Sequence, residues 1–147
     1  MKRLTFAITL ILLAAFPALQ ARAADLQQSH LDWAASLADR GLVTLVVDSF
    51  GSRGTTDLRE SGLLNMFDDA LSARRYLRGL DQIDPGRIGL LGFSMGGRYV
   101  FNFMDAARPE YGAGRHFRAA VAVYPACSPV TRLSGPVMVV FGDRDAH

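Results

Sequence analysis

Four short apolar runs constrain the fold of this chain more than anything else in it. Residues 42–47, 88–93, 119–124 and 137–141 show no regular alternation of polar side chains. Each therefore reads as a strand buried on both faces, not one with a wet side. Between them the pattern changes to a period of three or four. Leu31, Trp33, Ala34, Leu37 and Ala38 predict a helix over 26–40, stopped by Gly41; Met66, Phe67, Ala70, Leu71, Tyr76 and Leu77 predict a second over 65–80. A turn at Asp84-Pro85-Gly86 leads into the next strand, and a third helix is expected over 95–107, closed by Arg108-Pro109. Strands separated by helices of this length require right-handed crossovers and a parallel sheet between helix layers, the α/β class, with about four strands in one domain.

In such a sheet all strands end along one rim, and ligands bind beyond those carboxyl ends. The four strand ends carry Asp48 and Ser49, then Ser94, then Pro125 to Cys127, then Asp143 and Asp145. A hydroxyl and several carboxylates are thus expected to converge.

The first 23 residues have a different character. Lys2 and Arg3 precede the apolar stretch 4–18, followed by Ala21-Arg22-Ala23. This is the three-part pattern of an export signal, with cleavage expected after Ala23; the apolar run is shorter than the roughly 20 residues a membrane-crossing helix needs. Residues 1–23 are read as the leader and 24–147 as the domain, in a secreted or periplasmic protein with no membrane attachment after cleavage. The formal charge is +2, but the leader holds three basic residues and no acid, so the remainder carries −1. A nucleic-acid partner is excluded on that ground, since phosphate binding needs clustered Lys and Arg in the folded part. Cys127 is the single cysteine, which excludes a disulfide framework or a cysteine zinc cage.

The chemistry enters with Gly92-Phe93-Ser94-Met95-Gly96-Gly97, a G-x-S-x-G string between a predicted strand and a predicted helix. A turn this tight forces the serine into a strained conformation with Oγ exposed, and the flanking glycines relieve crowding where backbones pass. Ser94 is the candidate nucleophile. Met95, next along, offers its N–H at the positive end of the helix to a developing oxyanion. An acid is expected on a later strand end; Asp145 is preferred and Asp143 is the alternative. The base is harder to place. His30 and His116 read as surface or capping residues, and His147 is too close to Asp145 along the backbone to be supported by it and also reach Ser94. Arg53, near the rim, is a candidate for holding a substrate carboxylate, or else a loop arginine paired with Asp48 or Asp57. Cys127 reads as a packed thiol, and Trp33, Phe67 and Tyr76 as core.

The strings from His30-Leu31-Asp32-Trp33 to Val47-Asp48-Ser49-Phe50-Gly51-Ser52-Arg53-Gly54, Ile83-Asp84-Pro85-Gly86-Arg87-Ile88-Gly89, the elbow, and Tyr124-Pro125-Ala126-Cys127 are together distinctive. On them the sequence resembles the dienelactone hydrolase family of α/β-hydrolases. The resemblance implies an α/β-hydrolase sheet and hydrolysis of a small-molecule ester or lactone by a nucleophile, an acid and a histidine, with no metal or cofactor. Well-known members carry cysteine where Ser94 stands, so this chain looks more like a general esterase. Two family parts have no counterpart in the sequence: the strands and His-Gly loop ahead of the Trp33 helix, and the helix, strand and histidine loop beyond Asp145. The domain is therefore expected to be incomplete, with self-association through an exposed sheet edge. The competing reading is a non-catalytic remnant that binds a ligand or partner at the same rim.

Overall fold

The structure, a computed structural model, describes residues 6–11, 28–49, 53, 63–109, 116–126 and 128–143. Leu42–Val47 (β2) and Ile88–Phe93 (β3) form the expected strands, and Ala120–Val123 (β4) and Val137–Val140 (β5) are shorter by a residue or two than the apolar runs suggested. Among the described residues the α-helices are Gln28–Ala38 (α1), Leu63–Arg78 (α2) and Met95–Met104 (α3). The third helix stops early because Asp105 leaves helical geometry, with ψ 108°.

The strand count differs from the expectation. Phe6–Ile11 forms a further strand, β1, and the sheet has five strands in the order β2-β1-β3-β4-β5, all parallel. β1 registers Phe6 against Leu42 on one side and Ala7 against Ile88 on the other. A strand therefore does precede the Trp33 helix, and it comes from the segment whose pattern reads as an export leader. The physical reason is that the two roles ask for the same thing: an apolar run with no alternation also suits a central parallel strand.

Because side chains alternate along each strand, the sheet presents two different faces. Val43, Leu45, Val47, Ile88, Leu90, Ala120, Ala122 and Val137 point toward α2 and α3. There they join Met66, Phe67, Ala70, Leu77, Tyr99, Val100, Phe103, Met104 and Phe117 in the main core. Phe67 and Phe103 meet at 4.4 Å between ring centres, and Phe103 and Phe117 stand edge to face at 5.4 Å. The opposite face is thinner. Ala34, Leu91 and Phe93 are buried there, with Leu37, Val46, Val121 and Val123 half-buried beside them. Of the three aromatics expected in the core, Phe67 is buried, but Trp33 is 47% and Tyr76 61% exposed. The α1 face that carries Trp33 has too little packed over it.

Asp105 carries no signal in the sequence pattern, yet it organises one end of the packed face. Its buried carboxylate accepts hydrogen bonds from the N–H groups of Ala107, Thr131 and Arg132 at 3.0, 3.1 and 3.2 Å. It also lies 3.7 Å from Arg108. The end of α3 is thereby tied to the segment that enters β5. The three backbone donors, with a contribution from Arg108, hold the carboxyl below the usual aspartate range against the opposing effect of burial.

Candidate active site

The turn between β3 and α3 is as tight as the motif requires. Ser94 has φ 50° and ψ −116°, a conformation costing a non-glycine residue about 1–3 kcal/mol. Its backbone is pinned on every side. The Ser94 N–H donates to Val123 O at 2.9 Å, and Ser94 O accepts from Arg98 N at 3.2 Å and Ala126 N at 3.3 Å. The hydroxyl makes no capping bond to the helix it precedes. Ser94 stands at the carboxyl end of β3 and is half-buried.

The neighbouring glycines are required by contact. A Cβ on Gly92 would lie 2.2 Å from Gly96 O, and one on Gly97 would lie 2.7 Å from Pro125 Cβ. Strand β3, helix α3 and the segment after β4 meet there with no room for a methyl group. Met95 opens α3, so its N–H belongs to the first turn, where amides have no acceptor within the helix. That amide and the helix dipole together form a local positive end beside Ser94.

The other described strand ends lie along the same edge of the parallel sheet. Ser49 follows β2 and is fully buried; Tyr124 follows β4 at φ 36°, with its N–H on Val140 O at 2.6 Å; Asp143 follows β5 and is exposed. Asp145, His147 and Cys127 lie outside the described residues. The choice between Asp143 and Asp145 thus has one member in view.

Arg53 is engaged within the chain. Its two terminal nitrogens each meet a carboxylate oxygen of Asp69 at 2.7 Å, and one also donates to Ser49 O at 2.6 Å. The carboxylate it meets lies on α2, 16 residues away, while Asp57 lies outside the described residues. The pair fastens the loop after β2 to that helix. Partial burial raises the Asp69 carboxyl, but hydrogen bonds from Arg53 and the Ser49 side chain, with the charge of Arg53, outweigh it and hold it below its ordinary range.

His30 corrects the sequence reading. It is not a surface or capping residue but 5% exposed, its ring 5.8 Å from that of Phe93, the residue before the nucleophile. Nδ1 is buried without a hydrogen-bond partner among the described residues, and burial lowers the imidazole below its usual value. The ring is therefore neutral near pH 7. Its place was illegible because helical spacing put Leu31 and Trp33 in the core instead, and both remain more than 40% exposed. His116 stands near the amino end of β4, at the opposite edge of the sheet from Ser94. Among the described residues no group of three or more His, Cys, Asp or Glu side chains is placed to hold a metal ion.

Comparison with known proteins adds to this geometry. Structures of low sequence identity share the fold. A protein from Klebsiella pneumoniae subsp. pneumoniae MGH 78578 assigned as a dienelactone hydrolase is 17% identical over 95% of this chain, with a TM-score of 0.64. A dienelactone hydrolase-like promiscuous phosphotriesterase from metagenomic libraries is 20% identical over 96%, TM-score 0.60. A thermophilic esterase from Thermogutta terrifontis is 22% identical over 82%, TM-score 0.57. The chain spans 62%, 58% and 42% of those three proteins, respectively. None of the curated proteins matches it. The family model of the prolyl oligopeptidase family, peptidase S9, matches residues 29–136, a stretch that contains α1, the Ser94 elbow and β4. On that match, and on a strained serine between a parallel strand and a helix, the chain belongs to the prolyl oligopeptidase family and has an α/β-hydrolase fold.

Proposed function

We propose that this chain is the nucleophile-bearing part of an exported serine hydrolase acting on small carboxylic esters or lactones. The observation that carries the reading is Ser94, held at positive φ by three backbone hydrogen bonds with its hydroxyl free of the helix cap. In the reaction, Ser94 Oγ bonds to the ester carbonyl carbon while its proton passes to a histidine. The carbonyl π electrons move to oxygen, which the Met95 N–H stabilises. Collapse of the tetrahedral intermediate expels the alcohol, which takes the proton from the histidine, and water then releases the acid by the same steps in reverse order. Asp145 orients the imidazole. Neither described histidine is placed to act as that base, since His30 packs on Phe93 and His116 lies across the sheet.

A fluorophosphonate probe tests the proposal. Labelling of the folded chain that disappears in Ser94→Ala supports it. Unlabelled folded protein would leave the alternative, a ligand-binding remnant. The family match favours a second reading in which the acyl donor is a peptide bond. Comparing a p-nitrophenyl ester with a proline-containing peptide amide separates the two: turnover of the amide at a rate comparable with the ester would favour the peptidase. Export rests on the leader pattern of residues 1–23, and the amino terminus of the exported protein, read by mass spectrometry, checks cleavage after Ala23. Self-association rests on β5, paired on one side among the described residues and carrying exposed Met138, Val139 and Val140. Size-exclusion chromatography with light scattering reads it directly.

A further inference from the structure

Phe93, the residue before Ser94, is the hub of a small aromatic group on the thin face of the sheet. His30 and Trp33, one helical turn apart on α1, meet its ring at 5.8 and 5.6 Å between centres, and Tyr124 meets it at 6.0 Å. Trp33 and Tyr124 are half-exposed, whereas His30 is buried and its Nδ1 has no hydrogen-bond partner among the described residues. Beside this group α1 is held lightly: Ala34 is buried, Leu37 is half-buried, and the Thr44 hydroxyl donates to Ala34 O at 3.3 Å. Strands β1 to β4 carry no charged residue. The charged and titratable groups of the elements packed there are Asp32, exposed and bonded by Gln28 at 2.9 Å, Asp39 and Arg40 just past the carboxyl end of α1, Asp48 after β2, Arg87 before β3, and the Tyr124 phenol. Burial lowers the imidazole below 6.5, and no described charge offsets it.

We propose that His30 is an acid-sensitive latch on the Ser94 turn: the neutral ring seats Phe93 and holds the turn closed, and its protonation releases Phe93 and lets the turn relax. As a control of reactivity, the latch rests on the reading of Ser94 as nucleophile. A buried cation without a partner is costly, so the protonated ring leaves the group for the water that already borders Trp33 and Tyr124. Phe93 then loses one of the rings packed on it. Ser94, the next residue, keeps its positive φ only while the backbone around it is fixed. His30 acts through Phe93, which makes it a positioning residue. A ring released to water regains the ordinary value of 6.5, above that of the packed ring. Each pH unit below 6.5 therefore shifts the balance about ten-fold toward the released state, until the packed ring titrates as well.

Trp33 is the single tryptophan and packs edge-on against Phe93, so its emission reads the group directly. The full chain is titrated from about pH 8 to about pH 5. The expected result is a red shift with its midpoint below 6.5 while circular dichroism shows the helices intact. No such shift is expected in His30→Phe, or in His30→Leu should the ring variant fail to fold. The second readout is the rate of fluorophosphonate labelling at Ser94, taken as the ratio of native chain to variant so that titration of a base common to both cancels. That ratio is expected to fall about ten-fold between about pH 7.5 and 5.5. Trp33 emission that stays constant, a shift that persists in the variant, or loss of helix in step with the emission overturns the latch. A constant labelling ratio beside a His30-dependent shift overturns its coupling to the turn. Absence of labelling in both proteins at every pH overturns the nucleophile reading instead, and the Trp33 titration still decides the latch.

Discussion

The two faces of the sheet are built from the same strands, yet they differ in how much of the chain covers them. Toward α2 and α3, alternate residues of β2 to β5 meet a continuous aromatic and aliphatic layer in which Phe103, Val100, Met104 and Ala70 lose all contact with water. Toward α1, the intervening residues of those strands meet one helix, and Trp33, Met138 and Val140 remain exposed. The elbow is anchored on the first face by Gly92 against Gly96 and on the second by Phe93 against His30 and Trp33. A serine held at positive φ needs a rigid turn around it. Here most of the rigidity comes from one side.

That contrast can be broken by mutation. The largest effect is expected at Phe103→Ala, where loss of a fully buried ring from the packed face costs about 3–5 kcal/mol in chemical denaturation. A loss below about 1 kcal/mol would mean that this face is not the main core. Gly92→Ala forces a methyl group onto Gly96 O and is expected to cost about 1–3 kcal/mol, with loss of probe labelling at Ser94 as the turn opens. At the other extreme, Met138→Lys on the open face is expected to change stability by no more than about 0.5 kcal/mol. The same substitution should reduce self-association, read as a shift toward monomer mass in light scattering.

The same contrast has a pH signature. His30, on the thin face, is lowered from its ordinary value of 6.5 by burial, so the unfolded chain takes up a proton before the folded one does. Stability contributed by neutral His30 is complete above that value and declines as pH falls below it. Melting scans of the native chain and of His30→Phe should converge in slope above pH 7 and diverge below about pH 6.5. Identical slopes throughout would show that His30 is not buried in solution. Asp105, on the packed face, is also lowered, and its contribution is lost only when pH falls through the ordinary aspartate range near 3.8 and below. Asp105→Asn should flatten the acid limb while leaving the His30 step in place.

The elbow and the three helices were legible in the sequence because their signals are local. G-x-S-x-G lies between an apolar run and a helical period, and the glycines it needs for contact are the ones it contains. What escaped was set by contacts between distant segments. Arg53 reaches Asp69 on another element, although Asp48 and Asp57 were nearer in sequence. Asp105 is a carboxylate buried at the end of a helix, where spacing alone suggested that the helix continues. Trp33 looked like core because periodicity marks the apolar stripe of a helix without saying how much of the stripe is covered. The role of Phe6–Ile11 was also ambiguous, because apolar content identifies a leader and a central strand equally well.

That strand holds two parts of the sheet together. Among the described residues, β2 reaches the rest of the sheet through β1, and β1 is hydrogen-bonded along both edges. Removing residues 1–23 would part β2 from β3 by two strand spacings, about 9–10 Å. The same six residues cannot thread an export channel in extended form while zipped between two neighbours. Under the export proposed above, translocation and completion of this sheet would be competing fates, decided by which happens first.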